Sequence, residues 1–272
     1  MNQSLEEIAE LAEFIAEENI VRGYVNLKKI GQCNDIEIHY ESFGDYFTGM
    51  LQHEEGMFDI FVNLDKVRSE KYPRARFTVA HELGHYFIDN HRNQLKKGYS
   101  LSYDKELTYF TNHQVEREAN MFATNLLMPK DRFVAFASNY EIGIEAIKAL
   151  SKQFKTSLTS TAIQYHNLVS SPCGLIFWDR NMLFKNKKYS NALYDLIKQF
   201  STNFNVKESV KSEIFEDFNN DFFNVVETSS ITSSLAHFYP DIQTKSKHDI
   251  PVTVETINLQ AYGFISILYI NQ

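Results

Sequence analysis

The pentapeptide HELGH at residues 81–85 constrains the fold of this chain more than any other feature of its sequence. It lies in the stretch RARFTVAHELGHYFI, which follows Pro73, and proline is favoured in the first turn of a helix. Histidines four positions apart in a helix lie one turn apart on the same face, so both imidazoles can reach one cation. The motif therefore predicts a helix that presents two metal ligands.

The residues within and beside this motif favour a zinc site. Glu82 projects beside the two histidines, His81 and His85, close enough to take a proton from metal-bound water. Zn²⁺ accepts imidazole nitrogen in tetrahedral geometry and lowers the pKa of its bound water to about 7. The alternative is a helix with two surface histidines that bind no metal. By chance alone, the motif would arise in roughly two chains of this composition per hundred. Apolar neighbours such as Val79 and Leu83 favour metal binding over that alternative.

A catalytic zinc site needs a third protein ligand, and a second predicted helix at about 113–127 supplies candidates. Glu116 and Asn120 are four positions apart and hence lie on one face. One of them can bind the metal while the other holds a ligand histidine through its ring N–H. Glu118 would then point away, toward solvent. His113, one turn before Glu116, is an alternative ligand, although a histidine there more often caps or solvates a helix start.

Two segments, RFTVAHELGHYFIDNHR and VEREANMFATNLLMP, resemble the ImmA/IrrE family of cytoplasmic metallo-endopeptidases, a gluzincin group. The resemblance covers roughly residues 20–130. In related gluzincins the third ligand is the glutamate of an ExxA[N/D] pattern, which here maps onto residues 116–120. The resemblance therefore implies a zincin-like domain with one Zn²⁺ per chain, held by His81, His85 and Glu116.

The same resemblance implies a target and a longer architecture. Members of the family cleave helix-turn-helix repressors of the XRE type and so release the operons that these repressors control. Some members also carry a helical, winged-helix-like middle segment followed by a GAF-like sensory domain. Residues 131–170 and 171–272 match those two segments in length and order.

The elements along the chain predict an α+β fold in three parts. We place a zinc metallopeptidase domain at 1–130, a helical, helix-turn-helix-like segment at 131–170 and an α+β, GAF-like regulatory domain at 171–272. The second boundary rests on the change at Pro172 from helical patterns to mixed strands and helices. The polar stretch 89–112 has no clear period and predicts a long loop.

Two further elements are predicted in the first part. Residues 4–18 place apolar side chains at helical spacing and predict an amphipathic surface helix with an acidic outer face. Residues 36–63 predict three short strands, the last of which is FDIFVN at 58–63. This strand is either an edge that pairs with an extended substrate or an interior strand.

Composition and charge limit the other classes of function. The 272-residue chain is 43% hydrophobic, which excludes whole-chain disorder, and its formal net charge of −8 disfavours nucleic-acid binding. A helix-turn-helix rhythm at 148–167 lacks Lys and Arg from 158 to 167, so we expect no direct DNA binding. Two cysteines without a CxxC motif and the absence of a long apolar run predict a cytoplasmic protein that does not bind membranes.

Other side chains are candidates to contact the substrate. His91 follows the metal helix and is a candidate to polarise the scissile carbonyl or hold the substrate backbone, although a loop histidine is more often merely solvated. Tyr86 and the loop tyrosines Tyr99, Tyr103 and Tyr109 are candidates to donate a hydrogen bond to the oxyanion. The sequence does not choose among the tyrosines.

Together these residues predict a zinc-dependent endopeptidase. The zinc ion binds water, Glu82 takes the proton of that water, the hydroxide attacks a peptide carbonyl, and Glu82 passes the proton to the leaving amine. The alternative is a metal-binding regulator that sequesters a repressor or antitoxin partner without cutting it. The complete motif favours the enzyme, because a site that has lost catalysis tends to lose its general base first.

Overall fold

The computed structural model of this chain describes residues 3–99, 113–181, 183–189, 193, 214–215, 228–235 and 250–270. The chain divides into two compact units. Unit 1 comprises residues 1–135 and 150–160, and unit 2 comprises residues 136–149 and 161–272. The segment predicted as a separate middle part, 131–170, is thus shared between the two units. The mixed helices and strands agree with the predicted α+β class.

The first helix of unit 1, α1 (Leu5–Glu18), begins at a reciprocal cap. The Ser4 hydroxyl accepts the backbone N–H of Glu7, and the Glu7 carboxylate accepts the N–H of Ser4. Ile8 and Ala12 are fully buried, which confirms the predicted amphipathic helix. The chain continues through four short elements: β1 (Ile20–Val21), β2 (Tyr24–Val25), α2 (Leu27–Cys33) and, after the main sheet of the unit, α3 (Leu64–Val67).

Unit 1 contains a three-stranded sheet. It consists of β3 (Ile36–Glu41), β4 (Gly49–Glu54) and β5 (Met57–Asn63) in the order β3-β5-β4. Strand β5 pairs parallel with β3 and antiparallel with β4, so FDIFVN is interior and β4 lies at one side of the sheet. Alternate side chains of β5 are buried, as expected for a strand with one face on the core: Phe58, Ile60 and Val62.

Two helices carry the residues of the two sequence motifs. Helix α4 (Pro73–Phe87) starts at the predicted proline, and helix α6 (His113–Leu127) packs against it. At their closest approach, a Cβ atom on Gly84 would lie 3.2 Å from the Cα atom and the carbonyl oxygen of Ala119. The glycine therefore allows the two helix backbones to lie close together.

The polar stretch predicted as a loop contains a helix. Residues Asp89–Lys96 form α5, and residues 100–112 of the predicted loop lie outside the described residues. Asp89 and Arg92 form an ion pair one turn apart, and His91 and Leu95 are buried. Packing of these two side chains on unit 1 stabilises a helix that local apolar periodicity does not reveal.

After α6 the chain forms α7 (Lys130–Ala137), α8 (Ile144–Phe154) and α9 (Leu158–Leu168). Within unit 2, the Glu255 carboxylate accepts the first helical N–H of α8, that of Ile144, at 2.6 Å, and also accepts the hydroxyl of Tyr269 at 2.7 Å. Glu255 therefore caps a helix from the sheet of unit 2.

The strands of that sheet are β6 (Cys173–Trp178), β7 (Phe184–Tyr189), β8 (Thr228–Ser234), β9 (Pro251–Asn258) and β10 (Phe264–Ile270). The sheet is antiparallel, with the order β7-β6-β10-β9-β8. Its interior strands are buried on both faces, and the buried polar side chains are paired: the Trp178 indole N–H donates to the Ser266 hydroxyl, which lies 2.7 Å from Thr256 Oγ1. Among the described helices, none is long and apolar enough to cross a membrane.

Candidate metal centre

Three side chains from helices α4 and α6 converge on one point. The Nε2 atoms of His81 and His85 lie 3.1 Å apart. Glu116 on α6 brings Oε2 to 3.2 Å from His81 Nε2 and Oε1 to 3.6 Å from His85 Nε2. The structure thus brings together the three ligands expected from the sequence, as one group that could hold a metal ion.

The spacing of these donor atoms fits a small tetrahedral cation. Bonds of about 2.0–2.1 Å from zinc to nitrogen or oxygen, at tetrahedral angles, place neighbouring ligand atoms about 3.3 Å apart. The observed separations of 3.1, 3.2 and 3.6 Å bracket that value. Two imidazoles and one carboxylate also form a donor set that zinc accepts, with a fourth position left for water or substrate.

The Nδ1 atom of His81 is held from α6. It lies 3.1 Å from Oδ1 of Asn120, one turn beyond Glu116 on the same helix face. An amide oxygen only accepts, so the ring donates its Nδ1–H and keeps a lone pair on Nε2. Asn120 therefore sets the tautomer in which His81 can bind a cation, as the sequence predicted for one member of the Glu116–Asn120 pair.

The Nδ1 atom of His85 is held by a different route, through helix α5. It lies 3.2 Å from Nδ1 of His91, whose Nε2 lies 2.9 Å from Oε2 of Glu118. His91 is fully buried and Glu118 is buried, so Glu118 does not point to solvent. This placement also corrects the expectation for His91: both of its ring nitrogens are occupied inside the protein, and the residue does not face a substrate.

The electrostatics of the three donors favour a cation between them. Burial lowers the pKa of His85 to about 4, so this ring is neutral and offers a lone pair at neutral pH. Burial disfavours the charged forms of His81 and Glu116, but their hydrogen bonds and the neighbouring charges together outweigh it. The pKa of His81 is therefore raised, and the pKa of Glu116 is held far below its ordinary value. The carboxylate favours positive charge at this point, which a metal ion would supply.

Glu82 lies against the sheet beside these donors. Its side chain is buried, and the backbone N–H of Leu51 on β4 donates to its carboxyl group. Strand β4 comes this close because it begins with glycine: a Cβ atom on Gly49 would lie 2.7 Å from Oε1 of Glu82. Burial raises the pKa of Glu82 to about 7, which matches the range that suits a group that both accepts and donates a proton.

The other candidate residues do not join this group in the described part of the chain. The Tyr86 ring packs edge-on against Phe58 and Phe87, with the Arg92 guanidinium 5.5 Å from its centroid. Tyr99 is exposed. The predictions for Tyr103 and Tyr109, and for the side chain of His113, fall outside the described residues.

Sequence reasoning missed Gly49, Leu51 and the pairing of His91 with Glu118. The first two act through a contact between a strand and a helix that no local pattern encodes. The sequence carried a weak indication of the pairing, since His91 and Glu118 lie in the same two motif segments as the ligands. This indication was not enough while residues 89–96 were predicted as a loop rather than as helix α5.

A second group with metal-binding residue types lies on the sheet. Nε2 of His39 is 3.1 Å from Oδ1 of Asp59 and 3.9 Å from Oε2 of Glu37. The Glu37 side chain is 78% exposed, so this group has the character of a surface cluster of polar side chains.

This chain is similar to known proteins at the level of fold and of family. Compared with curated proteins, the chain has no significant match. A solved structure described as a Mycobacterium tuberculosis transcriptional regulator has a TM-score of 0.57 at 12% sequence identity, and the match covers 97% of this chain and 87% of that one. At such low identity the likeness shows the fold alone. Residues 32–164 match the family model Peptidase_M78, described as the IrrE N-terminal-like domain. These residues include every side chain of the candidate metal centre, and they form a domain of the ImmA/IrrE family that the two motif segments resemble.

Proposed function

We propose that this chain is a zinc-dependent endopeptidase that hydrolyses a peptide bond in a protein substrate. The observation that carries the proposal is the position of Glu82, a buried carboxyl group directly beside three converging metal donors. A site that only stored or sensed a metal would not need a proton acceptor in a desolvated position next to it. Membership of a peptidase family supports the same conclusion.

His81, His85 and Glu116 would hold one Zn²⁺ per chain. When bound, the ion would polarise water and the scissile carbonyl. Mn²⁺ is less favoured, because its preferred ligands are oxygen atoms and two of the three donors are imidazole nitrogens. Asn120 on one side, and His91 with Glu118 on the other, hold the two rings in the orientation that the ion requires.

Glu82 would move the proton in hydrolysis. In its ionised form it takes a proton from the attacking water, and in its protonated form it gives that proton to the nitrogen of the leaving amine. The carboxyl group lies against β4, where the N–H of Leu51 favours its ionised form and opposes the effect of burial on its pKa. Burial keeps both protonation states accessible near neutral pH.

Strand β4 supports a place for the substrate backbone. In the described part of the chain it pairs with β5 only, and its first residue adjoins Glu82. An extended peptide that adds to this side of the sheet would pass the general base. The interior strand β5, which the sequence left as an alternative, is paired on both sides.

We further propose an XRE-type helix-turn-helix repressor as the substrate, and the region 171–272 as a GAF-like domain that regulates cleavage. The family resemblance supports the substrate class, and the antiparallel sheet of unit 2 supports a second functional part. The decisive experiment incubates the protein with the XRE-type repressor encoded beside its gene, with and without chelator, and looks for fragments. Cleavage that chelator and Glu82→Gln both abolish supports the proposal, and intact repressor in every arm contradicts it.

The metal ligands are tested separately. After dialysis, zinc per chain is measured for the wild type, for Glu116→Ala and for Arg117→Ala, whose side chain is exposed on the same helix. We expect one zinc in the wild type and in Arg117→Ala, and loss of zinc in Glu116→Ala. Full zinc in Glu116→Ala would remove this residue from the ligand set.

A metal-binding regulator that sequesters a partner without cutting it is the second candidate. The observation that favours it is the name of the structural neighbour, which is described as a transcriptional regulator. The two candidates differ in one measurement, since a sequestering protein forms a stable complex with intact repressor whether or not Glu82 is present.

A further inference from the structure

The ring of His85 contacts a second histidine, His91, and the other ring nitrogen of His91 contacts the buried carboxylate of Glu118. Glu118, His91 and His85 form a continuous line of contacts: 2.9 Å from Glu118 Oε2 to His91 Nε2, and 3.2 Å from His91 Nδ1 to His85 Nδ1. His91 is fully buried, and Glu118 is 6% exposed. Neither residue belongs to the proposed ligand set or moves a proton in the proposed reaction.

The direction of this line follows from what each atom can do. An ionised carboxylate only accepts hydrogen bonds, so the proton between Glu118 and His91 belongs to Nε2 of His91. A neutral imidazole carries one proton, so Nδ1 of His91 is left as an acceptor. The proton between the two rings then belongs to Nδ1 of His85, and Nε2 of His85 keeps its lone pair.

The opposite direction would close the metal site. If His91 donated from Nδ1, His85 would have to accept at its own Nδ1 and carry its proton on Nε2. That proton would point at His81 Nε2 and Glu116, where the donor atoms converge. The acceptor at Glu118 therefore decides, through one intervening ring, whether His85 can be a ligand.

Glu118 is held in place for this role. Its second oxygen, Oε1, accepts the side-chain amide of Gln114 at 2.8 Å, one turn earlier on α6. Oε2 is thereby left to His91. The contact between Glu118 and His91 joins α6, the helix that carries Glu116, to α5.

We propose that Glu118 and His91 act as positioning residues that fix the Nδ1–H tautomer of His85 and thereby set the zinc affinity of the site. This inference rests on the proposed metal site and extends it to two residues outside the ligand set. His81 needs only the amide of Asn120 for the same purpose, so the two ligand histidines are controlled by separate and chemically different partners.

The first test needs no substitution. Imidazole ¹⁵N resonances of the metal-free wild-type protein report which ring nitrogens of His85 and His91 carry protons. We expect protons on Nδ1 of His85 and on Nε2 of His91. A proton on Nε2 of His85, or on Nδ1 of His91, would overturn the proposal.

The second test compares two substitutions of similar volume. Glu118→Gln keeps an oxygen that accepts from His91, whereas Glu118→Met removes the acceptor but fills the same space. The affinity for Zn²⁺ alone is measured by competition with a chromophoric chelator, with Arg117→Ala as the surface control on α6. We expect Glu118→Met to bind zinc about 10–100-fold more weakly than the wild type, with Glu118→Gln recovering most of that loss.

The outcomes separate this inference from the proposed function. If the wild type binds no zinc, the proposed metal site itself fails. If the wild type binds zinc and Glu118→Met binds it equally tightly with His85 in the same tautomer, the site stands and the positioning role is wrong. Equal losses in Glu118→Gln and Glu118→Met would also contradict it, because the acceptor would then not be the cause.

Discussion

Gly49 and Glu82 are in contact across the junction between strand β4 and helix α4. A Cβ atom at position 49 would lie 2.7 Å from Oε1 of Glu82, and closer still to Cγ2 of Thr78. The absence of a side chain at this position is what allows β4 to lie against Glu82.

The substitution Gly49→Ala should therefore displace Glu82 while leaving the zinc donors in place. We expect zinc to be retained and peptide hydrolysis to fall by about 10²-fold, the effect of roughly 1 Å of misplacement at a catalytic group. Overpacking should also cost about 1–3 kcal/mol in the free energy of unfolding. The measurement is kcat/KM together with zinc per chain.

Thr78→Ser supplies the matched control for this prediction. It removes the methyl group that an alanine at 49 would meet first, so Gly49→Ala combined with Thr78→Ser should regain part of the lost rate. Full activity in Gly49→Ala alone would show that β4 does not hold the general base.

Asn120 should tune the metal site through His81. Asn120→Ala leaves Nδ1 of His81 without its acceptor at 3.1 Å, and we expect zinc affinity or activity to fall by about 10–100-fold. Asn120→Asp keeps an acceptor oxygen and should stay close to the wild type. Unchanged affinity and activity in Asn120→Ala would remove this residue from the shell that orients the ligands.

The metal-free protein should show a pH dependence that comes from Glu82. Burial raises the pKa of this carboxyl group from 4.5 to about 7, so between these values the folded state binds a proton that the unfolded state has released. Stability therefore falls as the pH rises through this interval. Glu82→Gln cannot ionise, so at pH 8 it should be more stable than the wild type by on the order of 3 kcal/mol.

Urea unfolding of chelator-treated protein at pH 5 and pH 8 checks this difference. The gap between Glu82→Gln and the wild type should be small at pH 5 and largest at pH 8. A gap that does not depend on pH would mean that Glu82 titrates with an ordinary pKa in the folded protein.

In unit 2, Glu255 should stabilise the start of helix α8. Glu255→Ala leaves the N–H of Ile144 and the hydroxyl of Tyr269 without this acceptor, and hydrogen bonds to charged groups contribute about 1.5–3 kcal/mol. Hydrogen exchange at residues 144–149 should become faster. Glu145→Ala is the control, since the Glu145 side chain is 79% exposed and its loss should change stability by less than about 0.5 kcal/mol. Equal exchange rates in both variants would contradict the role of Glu255.

The cap by Glu255 also affects the predicted boundary at residue 171, after which we expect a domain that can be separated from the rest of the chain. The sequence pattern changes at Pro172, but residues 136–149 and 161–170 belong to the same compact unit as the C-terminal sheet. The separability of the region after residue 171 therefore stays a prediction. A truncated protein ending at residue 170 would lack Glu255, the acceptor at the start of α8.

The parts of the site that the sequence predicts are those set by helical geometry. His81 and His85 share a face because they are four positions apart, and Glu116 and Asn120 share a face for the same reason. The positions of Gly49 and Leu51 could not be predicted, because they depend on where a strand meets a helix about 30 residues later in the chain.

Helix α5 and the burial of Glu118 were not predicted for a related reason. The segment Asp89–Lys96 is polar on average, and its helix is stabilised by the burial of two side chains rather than by an apolar stripe. Residues 116 and 118 point in different directions around helix α6, so the sequence predicted that Glu118 faces solvent. In the structure Glu118 instead contacts His91, and only the tertiary structure brings these two residues together.

The most direct test of the central claim is a comparison of Glu82→Gln with the wild type, both loaded with zinc. Gln has nearly the shape of Glu and can still accept the N–H of Leu51, but it has no basic carboxylate to take a proton. Zinc per chain and cleavage of the repressor are measured on the same samples. We expect equal zinc in the two proteins and hydrolysis only by the wild type. Cleavage by Glu82→Gln at the wild-type rate would contradict the role of Glu82 as the general base.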